Sequence, residues 1–576
     1  MQRVSFPFRR CALACGVLAV ALHSAGCQRP QAGAIATPRS HPTVPQFRDV
    51  ATELGIRFTY DHGGSGRYYY AEVLGGGGAL FDYDGDGWLD IYITQGAPLP
   101  GYRGKTPLRN RLYRNLAGRG FQDVTDQARV DATRNGRKLY TIGCAVGDYD
   151  NDGDVDLFVT GFRAAILYRN NGNGTFSDVT RAAGIRDCQF GSSAAFVDYD
   201  VDGRLDLVVC EYVRYDLGDG LQCGTSDGKR DYCQPGYFPP LRSRLYRNIG
   251  DGRFQDVTHS AGLRSEYDKA LGVVAADFDD NGFPDLYIAC DLTPNLLYVN
   301  QGDGTFKEEA IARGCALDAN ARAQASMGVD WRDVDGDLRP DLLVTNYWQE
   351  THNLFRALDG GAFADQIAAM GLTGSSLNRV GFGAGLRDLN NDGWLDVFIT
   401  NGHVLAHPET TTPGCPRAQT DQLFLNLGGG RFREVSDAAG PWFRTAHVGR
   451  SAVFGDVDND GDLDILLVPN EGAVALLRNN GGNTGNWLQF RLIGRRSNRD
   501  GIGARIEITA GGRRQRDEVR SAYSYCAAND LRVHFGIGNA VRAERVEVRW
   551  PSGQLDVLTD VAAGRIYTVV EGEGLR

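Results

Sequence analysis

The chain has 576 residues and a formal net charge of −11, with 75 glycines and three methionines. That length exceeds one ordinary domain unless the chain is built from repeats. The acidic balance excludes the basic face that nucleic-acid binding requires, and the glycine-rich, aromatic composition suits strands joined by tight turns.

Residues 1–26 read as an export signal. Arg3, Arg9 and Arg10 precede an apolar run, Cys11 to Leu22, that is too short to span a bilayer comfortably. Ser24-Ala25-Gly26-Cys27 follows and resembles the lipobox of bacterial lipoproteins. The resemblance implies cleavage before Cys27, acylation of its thiol and, with Gln28 next, residence at the outer membrane. Such a lipid anchors a chain without spanning. Ordinary signal cleavage nearby would leave a soluble exported protein instead. Residues 27–45 are rich in Pro, Ala and Thr and read as a flexible tether.

Seven acidic turns then recur every 50 to 79 residues. In GDYDNDGDVDLFVT, Gly147 to Thr160, positions 1, 3, 5 and 9 are Asp148, Asp150, Asp152 and Asp156, with Gly153 at position 6. The same positions hold Asp82, Asp84, Asp86 and Asp90 in the first turn and Asp198, Asp200, Asp202 and Asp206 in the third. The fourth and fifth have Asp277, Asp279, Asn281 and Asp285, then Asp333, Asp335, Asp337 and Asp341. The last two have Asp388, Asn390, Asp392 and Asp396, then Asp456, Asp458, Asp460 and Asp464. Carboxylates gathered this tightly repel one another unless a cation sits between them. A hard ion with six to eight oxygen ligands suits the set, calcium before magnesium. An EF-hand would carry Glu at position 12 and enter a helix; these turns enter apolar β runs. The Asp333 turn lacks the position-6 glycine, having Leu338, and is expected to bind most weakly. Up to seven Ca²⁺ are expected, tying strands together rather than bridging to a partner.

A second phrase alternates with the turns. Leu167-Tyr168-Arg169-Asn170 is followed by a glycine turn and by Phe176 to Thr180, and copies occur at Leu112 to Asn115 and Leu245 to Asn248. Such a turn between β runs marks a hairpin. Each repeat is therefore strand, ion turn, strand, strand, tight turn, strand, the make-up of a propeller blade. Phe47 to Ala51 is a fourth strand with no third before it, and Leu476 to Gly481 a third with no fourth after it. Joining them closes a ring of seven and removes the open sheet edges. The expected fold is all-β: a seven-bladed β-propeller over 46–485 and a small β-rich domain over 486–576.

Two insertions interrupt the blades, at 211–241 and 403–420. The first carries Cys223 and Cys233, the best candidates for a disulfide in an oxidising compartment. The second carries His403 and His407, for which no third metal ligand is evident, so it reads as an ordinary loop.

The acidic turns and the small residues before them, such as Gly75 to Gly78, resemble FG-GAP (VCBS-type) repeats, the calcium-bearing blades of integrin α-chain propellers. Asn498 to Ala504, His534 to Gly538 and Trp550 to Gly553 resemble the ASPIC/UnbV domain. Together they are similar to the cartilage-acidic-protein-like family. A G-x-S-x-G elbow, H-E-x-x-H, a P-loop and a dinucleotide fingerprint are absent from any supporting context. The expected function is a calcium-stabilised, lipid-anchored envelope module, monomeric, presenting loops to a protein or glycan. The alternative is an envelope hydrolase or lyase using a propeller cleft.

Overall fold

The computed structural model describes residues 43–576 apart from 105–106, 219, 265–267 and 481–484. The export signal, Cys27 and nearly all of the tether lie outside the described residues.

Residues 43–480 contribute four antiparallel strands to each of seven sheets. The blade of the Asp148 turn runs Tyr140–Gly147, Asp156–Phe162, Ala164–Asn170 and Phe176–Asp178. Five further sheets, each continuous in sequence, repeat this order. The seventh takes Gly449–Gly455, Asp464–Pro469 and Ala475–Asn479 from the end of the series and Phe47–Asp49 from its beginning. Phe47 lies opposite Asn479 and Asp49 opposite Leu477. The innermost strand of each sheet touches that of the next, and the last touches the first, so the sheets form a β-propeller.

The inner strands carry small residues because they crowd the axis. The apolar cores lie between blades, where Phe158 clusters with Phe196 and Leu207, and Trp331 meets Phe278 and Tyr287. In each blade the ion turn joins strands one and two, and the tight turn joins strands three and four. Antiparallel order puts these turns on one face of the ring and the connections between strands two and three on the other.

Residues 486–576 form two further four-stranded sheets, packed through Leu488, Phe490, Ile506, Val546 and Trp550. This domain lies on the ion-turn face. The connection between Arg513–Glu518 and Val533–Gly538 leaves the domain and enters the propeller axis. Ser521 Oγ donates to the Phe196 carbonyl at 2.6 Å, and Ser524 exchanges backbone hydrogen bonds with Val329 at 2.7 and 3.1 Å. Ser524 Oγ accepts from Ala384 N–H and donates to the Ala452 carbonyl. Ala527–Ala528 adds a parallel strand to Gly78–Phe81. At Gly77 a Cβ would stand 2.0 Å from the Cys526 carbonyl oxygen, so only glycine fits where this plug passes.

Candidate metal centre

The seven turns share one hydrogen-bond frame. The position-1 carboxylate accepts from the position-6 N–H, as Asp148 does from Gly153 at 2.7 Å and Asp333 from Leu338 at 2.8 Å. The position-5 side chain accepts from the position-7 N–H: Asp152 from Asp154, and Asn281 from Phe283. The position-9 carboxylate is held twice. Asp156 accepts from Tyr149 N–H at 3.1 Å and from Asn170 N–H on strand three at 2.7 Å. Position 9 is thereby fixed to both neighbouring strands, and the turn wraps carboxylates around a common centre.

In the turns starting at Asp148, Asp198, Asp277 and Asp333, the carboxylates at positions 1, 3 and 9 offer oxygens within 4.8 Å of one another. In the first turn Asp82, Asp84 and Asp86 do so. The position-3 side chain supplies a direct sign of a missing partner: Asp84 Oδ1, Asp150 Oδ1, Asp200 Oδ1 and Asp458 Oδ1 are buried and make no hydrogen bond. A buried, unbonded carboxylate oxygen is costly unless a cation meets it. Burial also pushes the carboxyls upward, Asp90 and Asp148 to about 8 and Asp198 to about 7. These donor sets are oxygen-only, as a hard divalent ion requires. These five sets each fit one ion, held by the side chains at positions 1, 3, 5 and 9 of the turn, which would neutralise the clustered charge.

Strand three contributes an asparagine whose role sequence reading passes over. Asn170 Nδ2 donates to Val155 O in its own turn and to Tyr83 O in the preceding blade's turn at 2.7 Å. Asn115, Asn248, Asn300, Asn426 and Asn479 reach the preceding blade in the same way, Asn115 linking the first blade to Val457 of the last. At the joint between the Asp277 and Asp333 blades the residue is Ala357; there Phe278 stacks on Trp331 instead. The phrase was visible as a repeat, but a side-chain bond to another blade leaves no local pattern.

The C-terminal domain touches every ion turn. Arg491 faces Asp82 at 3.6 Å, and Asp500 accepts from Asp148 N–H at 2.6 Å. The Arg496 carbonyl stands over Gly203. Arg516 pairs with Asp280 and donates to Leu338 O. Gly538 N–H donates to Asn391 O, and Arg532 to Asp456 O at 2.8 Å. His534 Nε2 lies 3.1 Å from Gly461 O, so this histidine is a structural contact.

On the opposite face the two insertions hold each other: Asp231 accepts from Ala406 and His407 N–H at 2.8 and 2.9 Å. Cys223 and Cys233 are disulfide-bonded there, and Cys144, Cys188, Cys210, Cys290, Cys315, Cys415 and Cys526 are buried free thiols. His403 is taken up by Tyr347 OH and Leu405 N–H, whereas His407 lies beside Tyr68, so the two histidines do not converge.

Residues 494–576 match the family described as ASPIC and UnbV. Residues 82–159, 148–209, 225–288, 277–344 and 388–467 match the FG-GAP-like repeat. The chain is 26% identical over 518 residues to cartilage acidic protein 1 of Mus musculus, covering 86% of this chain and 73% of that protein. To the Xenopus tropicalis protein of the same name it is 24% identical over 530 residues, with the same shares covered. Among solved structures, an Agrocybe aegerita lectin specific for non-reducing terminal N-acetylglucosamine is 18% identical, with a TM-score of 0.38, over 64% of this chain and 88% of that one. The chain belongs to the FG-GAP repeat family, with an ASPIC and UnbV domain at its C-terminal end, and is similar over most of its length to cartilage acidic protein 1.

Proposed function

We propose that the chain is a calcium-stabilised binding module of the cell envelope, anchored through a lipid on Cys27, whose insertion-bearing face meets a protein or glycan partner. The observation that carries this reading is the division of labour between the two faces. The C-terminal domain covers the ion turns, so the ions act as structural ties. The opposite face presents the longest insertions on a rigid ring, where recognition usually sits. Tyr237 there is 64% exposed and Leu221 46%, and Tyr68, Tyr69, Tyr102 and Tyr215 are half-buried around them. Aromatic rings with one wet edge suit both sugar and protein surfaces.

At roughly millimolar free calcium and an affinity of about 10⁻⁴ M, one site adds on the order of 1.4 kcal/mol. Several together decide whether the ring holds. Capture of a partner from envelope extract by immobilised protein tests the reading. Capture that requires calcium and is lost in Tyr68→Ala/Tyr237→Ala supports it. Capture indifferent to both overturns it. Radiolabelled palmitate incorporated by the wild type and not by Cys27→Ala would support the anchor.

A further inference from the structure

We propose that the arginine on strand three is a built-in counter-charge that sets the ion affinity of its turn, present where all four ligand positions are carboxylates and absent where one is an asparagine. This inference rests on the ion-binding reading above. Arg114 Nε lies 2.6 Å from Asp84 Oδ2, and its Nη2 lies 3.2 Å from Asp86. Arg247 meets Asp200 at 2.6 Å and Asp202 at 3.6 Å. Arg356 pairs with Asp335 and lies 3.5 Å from Asp337, and Arg478 pairs with Asp458. Arg169 holds the same place beside Asp150. The arginine thus addresses positions 3 and 5.

In the two remaining turns the strand-three residue is Val299 or Leu425. Those are the two turns with an asparagine ligand, Asn281 at position 5 and Asn390 at position 3. The neutral ligand falls on the positions the arginine would otherwise address. Four carboxylates with one guanidinium, or three with none, leave three net negative charges at the ligand positions and their strand-three neighbour. Other arginines also approach the ligands: Arg204 pairs with Asp202 and Arg339 with Asp337 in turns that have a strand-three arginine, and Arg313 faces Asp279 and Arg513 faces Asp388 in the two that lack one, so the total charge differs from turn to turn and the correlation concerns the strand-three position alone.

The division within one carboxylate shows how the arginine serves the ion. Asp84 and Asp200 each give Oδ2 to the arginine and leave Oδ1 buried and unbonded. In these two turns the guanidinium holds the carboxylate by one oxygen and leaves the other for the cation. It also relieves repulsion in the ion-free turn. A unit charge a few ångströms from a divalent ion in a partly solvated site changes its affinity by about tenfold.

Trp88, at position 7 of the first turn, makes that turn separately visible by sensitised terbium luminescence. The signal lost in Trp88→Phe is the signal of that turn, and calcium displacement gives its affinity. Arg114→Gln is expected to tighten ion binding there about tenfold and to lower the melting temperature of the chelator-treated protein. Arg114→Lys should keep both near wild type. Arg114→Gln/Asp86→Asn, which recreates the ligand pattern of the Asp277 turn, should return both toward wild type. Unchanged or weaker ion binding in Arg114→Gln, with a clear wild-type signal, overturns the counter-charge and leaves the ion sites standing. A wild type with no calcium-displaceable Trp88 signal overturns the ion site itself.

Discussion

Position 6 of each turn demands a left-handed backbone: Gly153 sits at φ 102°, Gly203 at 86°, and Leu338 at 71°. A side chain there costs about 1–2 kcal/mol of backbone strain, partly offset by the freedom glycine loses on folding. Leu338→Gly should therefore raise stability by about 0.5–1 kcal/mol in calcium, read from urea denaturation; a loss would show that Leu338 packing outweighs the strain. The buried carboxyls set a second expectation. Without ions, burial raises Asp148 to about 8, Asp198 to about 7 and Asp333 to about 6, against an unfolded value near 4. A folded pKa above the unfolded one means stability is fully present below about pH 4 and is lost as pH rises through about 6 to 8. Chelator-treated protein should melt at a lower temperature at pH 8 than at pH 5. Calcium competes with those protons, so calcium-loaded protein should show no such fall. A chelated melt that climbs from pH 5 to 8 would contradict the placement of these carboxyls.

At the scale of elements, the plug is what sequence reading did not anticipate. The ion turns are legible because their ligands lie within nine residues. The closing strand is legible because half a hairpin at each end implies its partner. Ser521 to Asn529 carries no such mark: its partners, Gly78, Ser193, Val329, Ala384 and Ala452, lie far away in the chain. Its small residues match an axis already lined with small residues, and that complementarity has no period. The same distance hides the seating of Arg516 and Arg532. Arg387 and Arg332 lie over the Tyr523 ring, 3.9 and 5.2 Å from its centre. Tyr525 is fully buried and donates to Leu74 O at 3.0 Å. Tyr525→Ala should cost about 3–5 kcal/mol, with loss of cooperativity between propeller and C-terminal domain in calorimetry. A variant that melts like wild type would mean the ring does not depend on its plug.

At the scale of the molecule, three closures reinforce one another: Phe47–Asp49 completes the last sheet, asparagines tie blade to blade, and the C-terminal domain sits on all the ion turns with its plug in the axis. Each supports the others only while the turns keep their shape, and the turns keep it when their charge is met. Calcium titration of the ion-free protein by calorimetry, followed by thermal melts with and without chelator at neutral pH, tests this most directly. Binding approaching seven ions per chain, with a melting temperature lowered strongly by chelator, is the expected result. A chain that binds no calcium, or whose melt chelator leaves unchanged, would contradict it.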